Sequence, residues 1–206
     1  MKHTEREATR ICGLFLLSDK TRSVAGQLLE SLALARLPKR GQWNMVAMAK
    51  QDPDRTNQHW KTDRTGAVHV LRIGLGNDFL RILEGNVDEL PPIFDSFHSV
   101  PHYKFSKGTK PMLKTGFHQP IVSNFPTLDA YAYNESSQHL VIFQMTCSPK
   151  HELKAAGLDW LSSKTTVDVI VATSYDGGDD VFTVLDKASR IRNVYRLIVL
   201  PDPNFG

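Results

Sequence analysis

Cysteine is scarce in this chain. Only Cys12 and Cys147 occur in 206 residues. That excludes the small secreted scaffolds built on several disulfides, and fits a reducing compartment such as cytosol or nucleus. Long apolar runs are missing too: nothing approaches the ~18 consecutive apolar residues of a membrane-spanning helix. The start, Met1 to Glu7, carries no apolar signal core. No membrane partner is expected. The chain contains no Gly-x-x-x-x-Gly-Lys-Ser/Thr phosphate loop, no internal repeat and no low-complexity segment. Acidic residues disappear altogether between Ser96 and Leu128.

What is present is an ordinary globular composition, 41% hydrophobic and 23% charged, enough for one sizeable domain over residues 1–206. A formal charge of +3 permits nucleic acid binding without arguing for it, because the distribution of charge matters more than its sum. Residues 1–19 read as a weakly helical extension. The clearest helix runs from about Lys20 to Leu37, with Val24, Leu28, Leu32 and Ala35 at helical spacing, Ser18 or Asp19 as cap and Pro38 as stop. Short strands are expected at Trp43–Met48, Ala67–Ile73 and Phe79–Leu83, with a polar loop from Gln51 to Thr65. Residues 91–127 hold six of the 11 prolines and read as an irregular, extended, basic insertion.

The most informative segment follows. Leu128–Tyr133 and His139–Thr146 read as the strands of an antiparallel hairpin, with Asn134–Gln138 as its turn. A helix is expected to open at Ser148-Pro149 and carry Leu153, Ala156, Gly157, Trp160 and Leu161 as its apolar stripe. Val167–Thr173 and Tyr195–Leu200 read as strands, with a short helix between them. Helices flanking a mixed sheet make an α/β domain. Gln144 and Thr146 share one face of their strand, and polar groups ending an apolar face need a reason to be there. Asp129 on the facing strand supplies one. A carboxylate, the Gln144 carboxamide oxygen and the Met145 carbonyl are hard oxygen donors of the kind that hold Mg²⁺ or Mn²⁺. Glu30 on the early helix offers a second carboxylate.

This arrangement resembles the restriction-endonuclease-like, or PD-(D/E)XK, superfamily. There a helix glutamate, a strand aspartate and a Glu/Gln-x-Lys on the neighbouring strand form the site, followed by a helix. Phe125–Asp129 stands for the first strand motif and Gln144-Met145-Thr146 for the second. More narrowly, Ala25–Glu30, Asp129, and Gln144–Thr146 with His151 beyond look like the nuclease-type C-terminal domains of Crinkler effectors; related domains occur in retrotransposon hot spot proteins. The resemblance implies a restriction-endonuclease-like α/β core and metal-dependent hydrolysis of nucleic acid, DNA above all. It also implies an upstream P-loop ATPase module in a longer protein, and action in the nucleus of a host cell. The departure is Thr146, where active members carry lysine. Threonine has no charge to stabilise a phosphorane. Lys150 and His151 are its nearest substitutes in sequence.

Each of these residues also has a plain structural reading. Glu30 can be the wet face of an amphipathic helix, Asp129 a solvated strand-edge carboxylate, Gln144 a hydrogen-bond partner for a loop, and Thr146 simply a good strand residue. Cys147, His139 and His151 are too few and too scattered for a zinc site. In the basic segment, Lys104, Lys107, Lys110 and Lys114 are interleaved with Tyr103, Phe105 and Phe117. Lysines neutralise phosphates and rings stack on bases; the plainer reading makes the rings anchors of a solvated loop. Three functions compete: a metal-dependent nuclease, a degenerate pseudonuclease that binds nucleic acid or a protein partner, and a protein-docking domain.

Overall fold

A computed structural model of the chain describes residues 11, 22–39, 41–51, 58–62, 67–74, 79–91, 100–106, 108–121, 128–148, 150–153, 155–161, 166–174, 181–184 and 190–199. Most of the expected helical extension at 1–19, the expected caps Ser18 and Asp19, Lys107, Phe125 and Pro149 lie outside the described residues.

The runs richest in β-branched and aromatic residues occupy the centre. β8 (His139–Met145) and β10 (Val167–Thr173) lie parallel and in register, from Leu140 against Val167 to Met145 against Ala172. β12 (Ile191–Ile198) is parallel to β10 on its other side. Strands buried on both faces have no polar alternation to show, which is why these segments read as near-continuous apolar runs. The expected hairpin is present: β7 (Ala130–Asn134) pairs antiparallel with β8, Asn134 opposite His139. Its turn closes on the Asn134 side-chain oxygen, which accepts from the Ser136 amide at 3.1 Å and the Ser136 hydroxyl at 2.8 Å.

Beyond β7 come β6 (Gly116–Pro120), antiparallel, and β5 (His102–Phe105), parallel to β6. Beyond β12 comes β1 (Gly41–Gln51), antiparallel. The first half of β1 pairs with β3 (Val68–Ile73), which carries β4 (Leu80–Glu84). Its second half pairs with β2 (Gln58–Thr62), followed by β11 (Val181–Val184) and β9 (Lys150–Leu153). The result is a mixed α/β structure, a curled sheet of twelve strands with few helices. Among the described residues those helices are α1 (Arg22–Arg36), α2 (Ala155–Leu161) and a single 3₁₀ turn, Val87–Glu89. No helix among them is long and apolar enough to cross a membrane.

Alternation along the central strands divides the core. Val141, Phe143, Met145, Ala130, Ala132, Ile170 and Ala172 face one way and pack with Ala25, Leu29, Ala33 and Leu37 of α1. Leu140, Ile142, Tyr131, Val169 and Val171 face the other way, toward Leu158 and Leu161 of α2 and Trp60 and Phe182 from the curled-over strands. The stripe of α1 differs from the expected one. Val24 is 45% exposed and Ala35 is exposed, whereas Ala25, Leu29, Ala33 and Leu37 are buried. The packing stripe lies one residue along, and this sets Glu30 beside the sheet instead of away from it.

Four other segments differ from expectation. The stretch after Ser148 begins as strand β9, and the helix starts only at Ala155. Inside the polar loop, Gln58–Thr62 is a strand; between β10 and β12, Val181–Val184 is a strand too. Within 91–127, β5 and β6 belong to the sheet, with Pro101 just before one and Pro120 ending the other, where a missing N–H does least harm. These short polar strands exist through pairing with distant partners, which local sequence does not show.

Gly116 makes the β5–β6 junction possible. Its φ is +153°, and a Cβ there would sit 2.6 Å from the Pro101 carbonyl oxygen and 2.7 Å from the Tyr103 ring. Gly116→Ala should therefore lower stability by about 1–3 kcal/mol, read as a shifted urea midpoint; a change of only a few tenths would show that β5 is not held this closely.

Candidate functional site

β8, β10 and β12 point the same way, so their carboxyl ends share one edge of the sheet, the place where open α/β sheets commonly bind ligands. The backbone continues the ladder there: Thr146 N–H donates to the Ala172 carbonyl at 2.9 Å and Val199 N–H to the Thr173 carbonyl at 3.0 Å. Asp129 arrives at this edge just before β7, its own N–H donating to the Phe143 carbonyl at 3.0 Å. One carboxylate oxygen, Oδ2, accepts two hydrogen bonds, from Gln144 Nε2 at 2.8 Å and from Met145 N at 2.6 Å. Gln144 is 9% exposed. Its amide N–H being committed to Asp129, its carboxamide oxygen remains as an acceptor.

Glu30 on α1 lies close enough for its charge to act on Asp129. Burial pushes the Asp129 carboxyl up to about 7; the Met145 N–H acts the other way, and the Glu30 charge raises it further. Burial also raises Glu30. Two carboxylates in a half-dry site, each resisting ionisation, are what a bound cation would relieve. Glu30 also lines a cavity of about 520 Å³ between α1 and the end of β6, together with Ser31 and Leu34 on the helix and Gln119, Pro120 and Ile121 on the strand side.

The donor set suits a hard divalent ion. Mg²⁺ is commonly held by one or two carboxylates, its remaining positions filled by water and substrate oxygens, and Asp129 and Glu30 meet that description. Among the described residues no group of three or more His, Cys, Asp or Glu is gathered as a metal cage. The candidates for zinc are dispersed, with His139 on Asp168 at 2.7 Å and His151 stacked on Phe182 at 5.9 Å.

The structure thus joins Asp129 to Gln144 by a hydrogen bond, with Glu30 near enough for its charge to act on Asp129. Thr146 is buried beside them, but its hydroxyl oxygen accepts from the Ser148 N–H at 3.0 Å and closes the turn after β8. Lys150 and His151 stand on β9, in register with Val181 and Phe182 of β11. They do not open a helix, so no helix N-terminus presents itself to a phosphate there. Among the described residues the hydrogen bonds of Asp129 run to Gln144, Met145 and Phe143, not to either of them.

In the basic segment Lys104, Lys110 and Lys114 are exposed. The aromatics are not displayed with them. Phe117 is fully buried and Phe105 is 8% exposed. Tyr103 stacks on His118 at 4.9 Å, and His118 on Tyr131 at 4.4 Å. Their large apolar area is worth more in the core than in water, so these rings anchor the segment and do not form a platform for bases.

Compared with known proteins, the chain matches no family model, and no curated protein or solved structure is significantly similar to it. The site has to be judged on its own geometry.

One polar constellation escaped the sequence reading. Asp168, 2% exposed on β10, accepts from Arg192 Nε at 3.0 Å and Nη2 at 2.6 Å, from His139 Nε2 at 2.7 Å and from Asn193 Nδ2 at 3.0 Å. Burial would raise this carboxyl, but the hydrogen bonds and charges of His139 and Arg192 outweigh it and hold the group at about 2. It sits at the opposite end of the central strands from Asp129 and ties β8, β10 and β12 together. A lone Asp within a valine-rich strand was the available signal; finding its partners required the strand register.

The raised Asp129 carboxyl has a measurable consequence. Such a group favours the folded state below its unfolded value of 3.8, and that contribution is lost as pH rises through about 7. Asp129→Asn does not titrate, so its stability relative to the native chain should increase as pH rises across this window. Urea unfolding of both proteins between about pH 4 and 8 checks this; parallel pH profiles would refute the buried, repelled carboxyl.

Proposed function

We propose that this chain is a divalent-metal-dependent nucleic acid hydrolase, acting on DNA, with a restriction-endonuclease-like core of the Crinkler type. The observation that carries the reading is Asp129 held by the Gln144 and Met145 N–H groups at the carboxyl ends of the parallel strands, with the Glu30 charge acting on it. Three features support the core: α1 packs on the sheet, the antiparallel strands β6, β7 and β8 lie next to one another, and α2 lies in the connection from β8 to its parallel neighbour β10. Glu30 and Asp129 would hold Mg²⁺ or Mn²⁺, with the Gln144 carboxamide oxygen beside them. When bound, such an ion neutralises charge developing on a phosphodiester and lowers the pKa of water. The chain's own part is to keep Asp129 aimed, through the Gln144 and Met145 N–H groups, in a site that excludes bulk water. The exposed Lys104, Lys110 and Lys114 would draw in the polyanion.

A second reading rests on Thr146. It stands in place of the family's lysine and its hydroxyl is engaged in a turn, which favours a pseudonuclease that retains the fold and binds nucleic acid or a protein partner.

Plasmid nicking separates the two. The hydrolase reading expects nicks that require Mg²⁺ or Mn²⁺ and fall by roughly 100-fold or more in Asp129→Ala, with the circular dichroism of the native fold preserved. DNA retained without nicks in either metal would establish the pseudonuclease; undiminished nicking by Asp129→Ala would eliminate this site.

A further inference from the structure

We infer that the cavity between α1 and β6 takes one unpaired nucleotide of the substrate, so that the chain acts on single-stranded or locally unpaired DNA in preference to intact duplex. This inference rests on the hydrolase reading and specifies its substrate. Four observations lead to it. The cavity is a groove open to solvent, and its volume, about 520 Å³, falls within the roughly 300–1,000 Å³ of sites that take a small molecule, room for a single nucleotide. Its wall is two-sided in chemistry: Leu34, Pro120 and Ile121 are apolar, with Ile121 63% exposed at the rim, while Ser31 and Gln119 are hydrogen-bonding groups. A base has the same division, apolar on its faces and polar along its edges.

Position is the third observation. Glu30 lines the cavity, and its charge acts on Asp129, so the cavity adjoins the Glu30 side of the candidate site. The fourth is charge. Lys104 is in register with Gln119 across the parallel β5–β6 pair. Paired residues of neighbouring strands project to the same face, which sets an exposed ammonium on the cavity side of the sheet. His102, two residues earlier on that face, hydrogen-bonds the Gln119 side chain and holds it in place. Among the described residues of the segment, Phe105 and Phe117 are buried and so are not open to a base. Unstacking a base from a duplex costs a few kcal/mol and least where it is already unpaired; hence the preference.

The test is equilibrium binding by fluorescence anisotropy in the Asp129→Asn background with divalent ions chelated, so that nothing is cleaved and carboxylate repulsion is reduced. The probes are a labelled single-stranded oligonucleotide and the same strand annealed to its complement. Single strand should bind roughly ten-fold more tightly than duplex, the worth of one held base. Ala35→Trp, a filling substitution at an exposed helix position, should remove that advantage and leave duplex binding and the thermal midpoint unchanged. Ser31→Trp should do the same from the neighbouring position. Equal affinity for the two probes, or a single-strand advantage that survives both fillings, overturns the cavity assignment and leaves the hydrolase reading standing. Binding of neither probe likewise overturns the cavity assignment, the hydrolase reading being decided by the metal-dependent nicking assay.

Discussion

β8 is hydrogen-bonded on both edges and buried on both faces, and much of the molecule follows from that constraint. A strand so enclosed must be apolar along its length, and any polar side chain it carries needs a partner within reach. Gln144 finds one in Asp129, and the Met145 N–H finds the same oxygen. Those two bonds fix the carboxylate at the edge where β8, β10 and β12 end together. At the other end of the same three strands, His139, Asp168, Arg192 and Asn193 solve the same problem by complete mutual satisfaction. The contrast is informative: Asp168 is held ionised by four donors, while Asp129 has two donors on one oxygen and a second carboxylate nearby. A satisfied ion pair stabilises; an under-compensated carboxylate pair is a place for a cation.

The sequence revealed the parts that depend on local pattern. The hairpin at 128–146, the strand at Val167–Thr173, the last strand and the early helix all have compositions that admit few other structures. Asp129, Gln144 and Glu30 were legible as candidates because each interrupts an apolar pattern or matches a family motif. What was not legible depends on register and pairing. β2, β5, β9 and β11 are short and partly polar, and exist because a distant strand supplies hydrogen bonds. The one-residue offset in the buried stripe of α1 decides whether Glu30 faces sheet or solvent, and spacing alone left that open. Lys150 and His151 followed a cap-and-proline signal at Ser148-Pro149 that suggested a helix; pairing with β11 prevailed over it.

The basic segment shows how composition misleads when geometry is absent. Lysines alternating with aromatics suggested a nucleic acid surface in which both kinds of residue take part. The fold separates them, burying Phe105 and Phe117, leaving Tyr103 half-buried and Lys104, Lys110 and Lys114 outside. Thr146 carries the tension between fold and activity, because its hydroxyl shapes the turn that follows β8 and supplies no cation.

The central claim is that Asp129, held largely protonated near neutrality beside Glu30, is a site for a divalent cation. Calorimetric titration of the chain with Mg²⁺ at about pH 6.5, in buffers of different ionisation enthalpy, addresses it directly. Binding must displace the carboxyl proton, so the account predicts release of a substantial fraction of a proton per ion, declining above about pH 8. Binding without proton release, or no binding at all, would contradict it.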